Sequence, residues 1–113
     1  MTTIYGIKNC NKIRNTIEWM ERYQRTFKFH DVKKTPLTMS ELQAIAEKVG
    51  IDLLLNRRGT TWRKLGLSDK TLTEQELLLV AHENQSMLIR PLLQRGESFL
   101  VGYDEDSFET FTR

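Results

Sequence analysis

The chain has 113 residues, 39% of them hydrophobic and 28% charged, with 17 Lys+Arg against 15 Asp+Glu. That length suits one domain with a real core, residues 1–113, and the composition excludes wholesale disorder. A net charge of +2 is too weak a field to call for nucleic acid, and apolar runs of only a few residues exclude a membrane-spanning helix. Thr3-Ile4-Tyr5-Gly6-Ile7 is β-branched and aromatic, the pattern of a short strand. Asn9 and Asn11 flank Cys10, and asparagine is a favoured helix N-cap. A helix is predicted from about Lys12 to Tyr23, where Ile13, Ile17, Met20 and Tyr23 recur at helical spacing. Phe27 to Val32 alternates apolar and polar, as a second strand would. Strand, helix and strand in this order imply a parallel pair with a right-handed crossover.

Two capping boxes follow, Thr38-x-x-Glu41 and Thr73-x-x-Glu76. The first opens a helix with Leu42, Ile45, Ala46 and Val49 on one face, stopped by Gly50. The second opens a helix through Leu77, Val80 and Ala81 to about Glu83. Between them lie Leu53-Leu54-Leu55 and the segment NRRGTTWRKLG, Asn56 to Gly66, so residues from about 37 to 86 read as a helical insert. Pro91-Leu92-Leu93 and Ser98-Phe99-Leu100-Val101 flank the turn-rich Gln94-Arg95-Gly96-Glu97, which predicts a β-hairpin. A last helix is predicted around Glu105 to Phe111. The economical arrangement is an α/β fold with a four-stranded mixed sheet.

One cysteine makes no internal disulfide, and MTTIYGIKNC lacks the apolar segment of a secretory signal, so the expected setting is the reducing cytoplasm. Cys10 falls between the first strand and the first helix. There, unpaired backbone N–H groups, the helix dipole and the nearby Lys8, Lys12 and Arg14 favour a thiolate, the nucleophilic form. The bland alternative is a small buried hydrophobe. Ile89-Arg90-Pro91 reads either as a proline opening a strand after a solvated arginine, or as a cis-proline loop that presents Arg90 to an anion. Arg57 and Arg58, beside the Gly59-Thr60-Thr61 turn, have the chemistry to hold a carboxylate or other oxyanion, or they lie on a charged surface loop. Trp62 is expected to pack rather than stack on a ligand. His30, His82 and one cysteine give no metal-ligand signature, so no metal site and no resident cofactor are expected.

Tyr5-Gly6-Ile7-Lys8-Asn9-Cys10, NRRGTTWRKLG, Ile89-Arg90-Pro91 and Leu100-Val101-Gly102-Tyr103-Asp104 occur in that order. Together, over Ile4 to about Phe111, they resemble the ArsC/Spx family, and most of all its YffB-like branch of ArsC-related thiol reductases. The resemblance implies a thioredoxin-like fold with a helical insert. It implies that Cys10 is the nucleophile, that Arg90 binds an anion and that Pro91 is a cis-proline. Lys8 and Asn9, in the same motif as Cys10, are expected to join Arg57, Arg90 and Pro91 in binding substrate or glutathione. The insert arginine that holds oxyanion in arsenate reductases falls at Asn56 or Arg57, of which Arg57 has the chemistry.

The departures narrow the function. A further arginine of arsenate reductases is replaced here by Gly102. Each charge-assisted contact is worth ~1.5–3 kcal/mol, so its loss argues against arsenate reduction. The Cys-x-x-Cys switch common in Spx regulators is absent, because Ile13 stands three after Cys10. The resemblance thus implies a glutathione-dependent thiol reductase that borrows its second thiol from glutathione as co-substrate. The other reading is a Spx-like adaptor that binds RNA polymerase or another protein partner.

Overall fold

Alternation along the strands decides where the hydrophobic cores lie in the computed structural model, which describes residues 1–113. Strand β1 (Thr2–Gly6) pairs in parallel with β2 (Phe27–Asp31) and antiparallel with β3 (Leu92–Arg95), which pairs antiparallel with β4 (Ser98–Val101). The sheet order is β2-β1-β3-β4, a four-stranded mixed sheet as predicted. Ile4 lies opposite Phe29 on one side and Leu93 on the other, so these three side chains share a face. That face packs with Ile13, Trp19, Met20 and Phe108. The next residues along each strand, Tyr5 and Leu92, with Val101 opposite, turn to the other face and join a larger core. The sheet is thus a layer between two cores.

Helix α1 (Asn11–Arg22) follows β1 and buries Ile13, Thr16, Trp19 and Met20, a stripe at helical spacing. The Thr16 hydroxyl, fully buried, donates to the Lys12 carbonyl at 2.6 Å, so no polar group is stranded. Gly6 is required where β1 meets this helix: a Cβ there would lie 2.2 Å from Ile13 Cδ1. The hairpin turns at Gly96, with φ +62°, and β4 leads into α6 (Glu105–Phe111), N-capped by Asp104.

Between β2 and β3 run α2 (Met39–Val49), α3 (Ile51–Leu54), α4 (Thr60–Lys64), α5 (Glu74–Glu83) and a 3-10 turn, Gln85–Met87. Both predicted capping boxes form, Thr38 with Glu41 and Thr73 with Glu76. Leu42, Ile45, Leu54, Trp62, Leu77 and Ala81 bury together with Leu92 of the sheet. Trp62 packs in this core, as expected. Helices α3 and α4 leave no pattern in the sequence, because single turns are too short to show a periodicity. The predicted edges of β1 and α1 each shift by one residue toward the N-terminus. Cys10, not either flanking asparagine, is the N-cap of α1.

Candidate functional site

Cys10 sits where β1 hands over to α1, at the carboxyl end of a parallel strand pair. Its backbone is extended (φ −136°, ψ 126°) and its carbonyl accepts the first helical hydrogen bond, from Arg14 N at 3.0 Å. No side chain caps the helix, and its first turn carries no acidic residue. The N–H groups and the positive dipole end beside the sulfur are therefore open to a negative charge. Cys10 itself is partly buried and touches the α1-side core.

The thiol opens onto a cleft of about 210 Å³ lined by Cys10, Asn11, Lys12, Asn56, Leu88, Ile89 and Arg90. Two of these residues are cationic and none is acidic. Arg90 is partly buried, and it takes no part in the ion pairs of the chain, which are Arg25–Glu109, Arg57–Asp52 and Arg113–Glu109. The Arg90–Pro91 peptide is cis, and Pro91 is buried behind the cleft. The Pro91 carbonyl accepts a hydrogen bond from Gly102 N at 2.9 Å, which ties the loop to the end of β4.

A long-range pairing brings Asn56 to this wall. Asn56 N donates to the Met87 carbonyl and Ile89 N to the Leu54 carbonyl, each at 2.8 Å, around a bridge between Leu55 and Leu88. The Asn56 side chain accepts from Arg58 N at 3.0 Å, a local turn that holds its own loop. Arg57, the expected neighbour of Cys10, does not line the cysteine cleft. It lines an adjoining one with Asp52, Leu55, Arg58 and the shared walls Asn56 and Ile89. There its guanidinium bonds Asp52 Oδ1 at 2.5 Å and lies 5.7 Å from the Trp62 ring centroid. Lys8 and Asn9 precede the thiol but are exposed and do not line the cleft; Asn11 and Lys12 do. Asn11 was legible only as a capping candidate. Its Oδ1 accepts from Arg14 Nη2, which draws that cation toward the first turn.

Tyr103 lies just beyond Gly102 and keeps its proton at neutral pH. Burial, then its 2.7 Å hydrogen bond to Glu105 and that carboxylate's charge, push the phenol up to about 12. The chemistry open to the site is therefore that of one sulfur and two cations.

The ArsC family model matches residues 5–111, nearly the whole chain. The chain belongs to the ArsC family. Its fold is accordingly the thioredoxin-like α/β fold of ArsC proteins. The solved structure of the YffB (PA3664) protein superposes with a TM-score of 0.92 at 29% identity, covering 100% of both chains. The solution structure of an arsenate reductase (ArsC) related protein from Brucella melitensis gives 0.81 at 33% identity, over 97% of this chain and 92% of that one. Among curated relatives, the global transcriptional regulator Spx 2 of Oceanobacillus iheyensis is 32% identical over 110 residues, 96% of this chain and 81% of its own length. The ArsC family thus joins this chain both to reductase-related proteins and to regulators.

Proposed function

We propose that this ArsC-family chain is a cytoplasmic thiol oxidoreductase with Cys10 as nucleophile and glutathione as its second thiol. One juxtaposition carries the reading. The cysteine at the α1 N-cap shares a cleft with Arg90, a partly buried guanidinium that no residue of the chain neutralises. A cation kept free of carboxylates beside a sulfur suits an anionic thiol substrate, and glutathione brings both a thiol and carboxylates.

In the proposed cycle the Cys10 thiolate attacks the glutathione sulfur of a glutathionylated substrate. A bond forms between Cys10 Sγ and that sulfur, while the substrate sulfur leaves as a thiolate and takes a proton. A second glutathione thiolate then attacks the glutathione sulfur of the mixed disulfide, releasing oxidised glutathione and the Cys10 thiolate. With one cysteine in the chain, the second step needs the external thiol. Arg90 holds a carboxylate of the tripeptide, and Lys12 adds positive potential.

Mass spectrometry of protein treated with oxidised glutathione tests this. One glutathione adduct on Cys10 is expected, absent in Cys10→Ser and formed roughly tenfold more slowly in Arg90→Ala, since one charge-assisted contact is lost. No adduct, or no effect of Arg90, would sink the reading. The kinship with the transcriptional regulator Spx 2 favours a second one, a Spx-like adaptor that binds RNA polymerase or another protein. Retention of RNA polymerase equally by wild type and Cys10→Ser, without thiol chemistry, would favour it.

A further inference from the structure

We infer that Asp52 sets the charge preference of the Cys10 cleft by holding Arg57 outside it, so that the site accepts a singly charged group such as a carboxylate in preference to a doubly charged oxyanion. The inference rests on the proposed reading of this cleft as an anion-holding thiol site. The two clefts share a common wall, Asn56 and Ile89, and Arg57 is the next residue after the first of these. Arg57 thus lines the far side of a wall that the cysteine cleft shares. It is held there by the 2.5 Å bond to Asp52 Oδ1 and by the Trp62 ring. Trp62 is buried and fixed, whereas the Asp52 and Arg57 side chains are 81% and 42% exposed. A tether at the surface of this kind is adjustable, because exposed ion pairs hold weakly.

The charge balance follows from that geometry. With Arg57 tethered, Arg90 is the one guanidinium lining the cysteine cleft, Lys12 adds an exposed ammonium, and Asn56 supplies a neutral wall where a second guanidinium could stand. One guanidinium matches one carboxylate in a bidentate fork. A sulfate or arsenate dianion entering the same cleft finds one planar fork and, from Lys12, one exposed ammonium that solvent screens, which offsets less of the hydration it loses than a second guanidinium would. Asp52 is thus a specificity-determining residue that touches neither the sulfur nor the bound group.

Protection of Cys10 against iodoacetamide, a neutral reagent, reads this out at constant ionic strength. Inorganic sulfate and acetate serve as the dianionic and monoanionic probes, in wild type, Asp52→Asn, Arg57→Ala and the double variant. Freed of its tether, Arg57 lowers the half-protecting sulfate concentration in Asp52→Asn by about three- to fivefold, a gain bounded by the strength of an exposed pair. Acetate changes by less than about twofold, since Arg90 already meets its single charge. In the Arg57→Ala background the Asp52→Asn gain disappears.

A gain that survives removal of Arg57 would mean that Asp52 acts only through its own charge, and overturns the inference. So does an Asp52→Asn variant that protects no better than wild type. Glutathione adduct formation separates the two levels. If Cys10 forms the adduct with its Arg90 dependence while sulfate responds to no variant, only the role of Asp52 falls. If the adduct fails as well, the reading of the site falls with it.

Discussion

At Gly102 the backbone has φ +96°, a conformation that L side chains rarely adopt, although a Cβ there would meet no atom within 4 Å. The position that the resemblance matches to an arginine of arsenate reductases is therefore open in space but closed by backbone geometry. Its N–H is also committed to the Pro91 carbonyl, so relaxing the φ would pull on the loop that carries Arg90. Gly102→Arg is expected to destabilise the chain by ~1–2 kcal/mol, the cost of a left-handed non-glycine residue. A urea midpoint unchanged from wild type would refute that. At the same scale, the sequence exposes Cys10, because a strand pattern, a cysteine and a helix pattern in succession already place a sulfur at a dipole end. It does not separate Asn56 from Arg57. Which of two neighbours faces the thiol is decided by the bridge between Leu55 and Leu88, whose partners lie far apart in sequence. Nor does it show Asp52, which matters only through the reach of Arg57.

The helices between β2 and β3 depend on their first turns. In α5, the Glu76 carboxylate accepts from Thr73 N at 2.9 Å and the Thr73 hydroxyl accepts from Glu76 N at 3.2 Å. The backbone bond first, and the hydroxyl next, hold the Glu76 carboxyl below its ordinary 4.5. The folded chain therefore keeps this carboxylate charged to a lower pH than the unfolded chain does. The stability it contributes is whole above 4.5 and is lost as pH falls below that value. Glu76→Gln keeps a hydrogen-bonding side chain and removes the titration. Its melting temperature should lie below that of wild type at neutral pH and converge with it as the pH falls well below 4.5. A gap that stays constant over that range would contradict the assignment. Thr73→Ala should cost ~1 kcal/mol at neutral pH, as lost N-caps do. Both boxes were legible because a cap is a local signal over four residues. Helices α3 and α4 were hidden for the opposite reason: each is one turn, held by Leu54 and Trp62 packing into a core assembled from distant segments.

At the scale of the whole molecule, the two cores lie on opposite faces of the sheet, and β3 faces both. Leu93 enters the core under α1 and α6, and Leu92 enters the core beneath the helices between β2 and β3. Each core holds one of the two tryptophans, Trp19 in the first and Trp62 in the second. The cysteine cleft draws on both halves, with Cys10 from the α1 side and Asn56 and Leu88 from the other, so its geometry survives only while the two stay docked. If the central strands couple the cores, they unfold together. Trp19→Phe and Trp62→Phe leave single reporters in opposite cores, and their fluorescence transitions in urea should share one midpoint once each variant's own stability, read by circular dichroism, is accounted for. Leu92→Ala, introduced into either background, removes a side chain that is 1% exposed and should cost ~2–5 kcal/mol. Because Leu92 sits in one core alone, the Trp19 signal is the informative one. A shift there equal to that at Trp62 shows one cooperative unit. A Trp62 transition that moves while Trp19 stays in place would show that the helical segment melts independently and takes Asn56 and Leu88 away from the thiol.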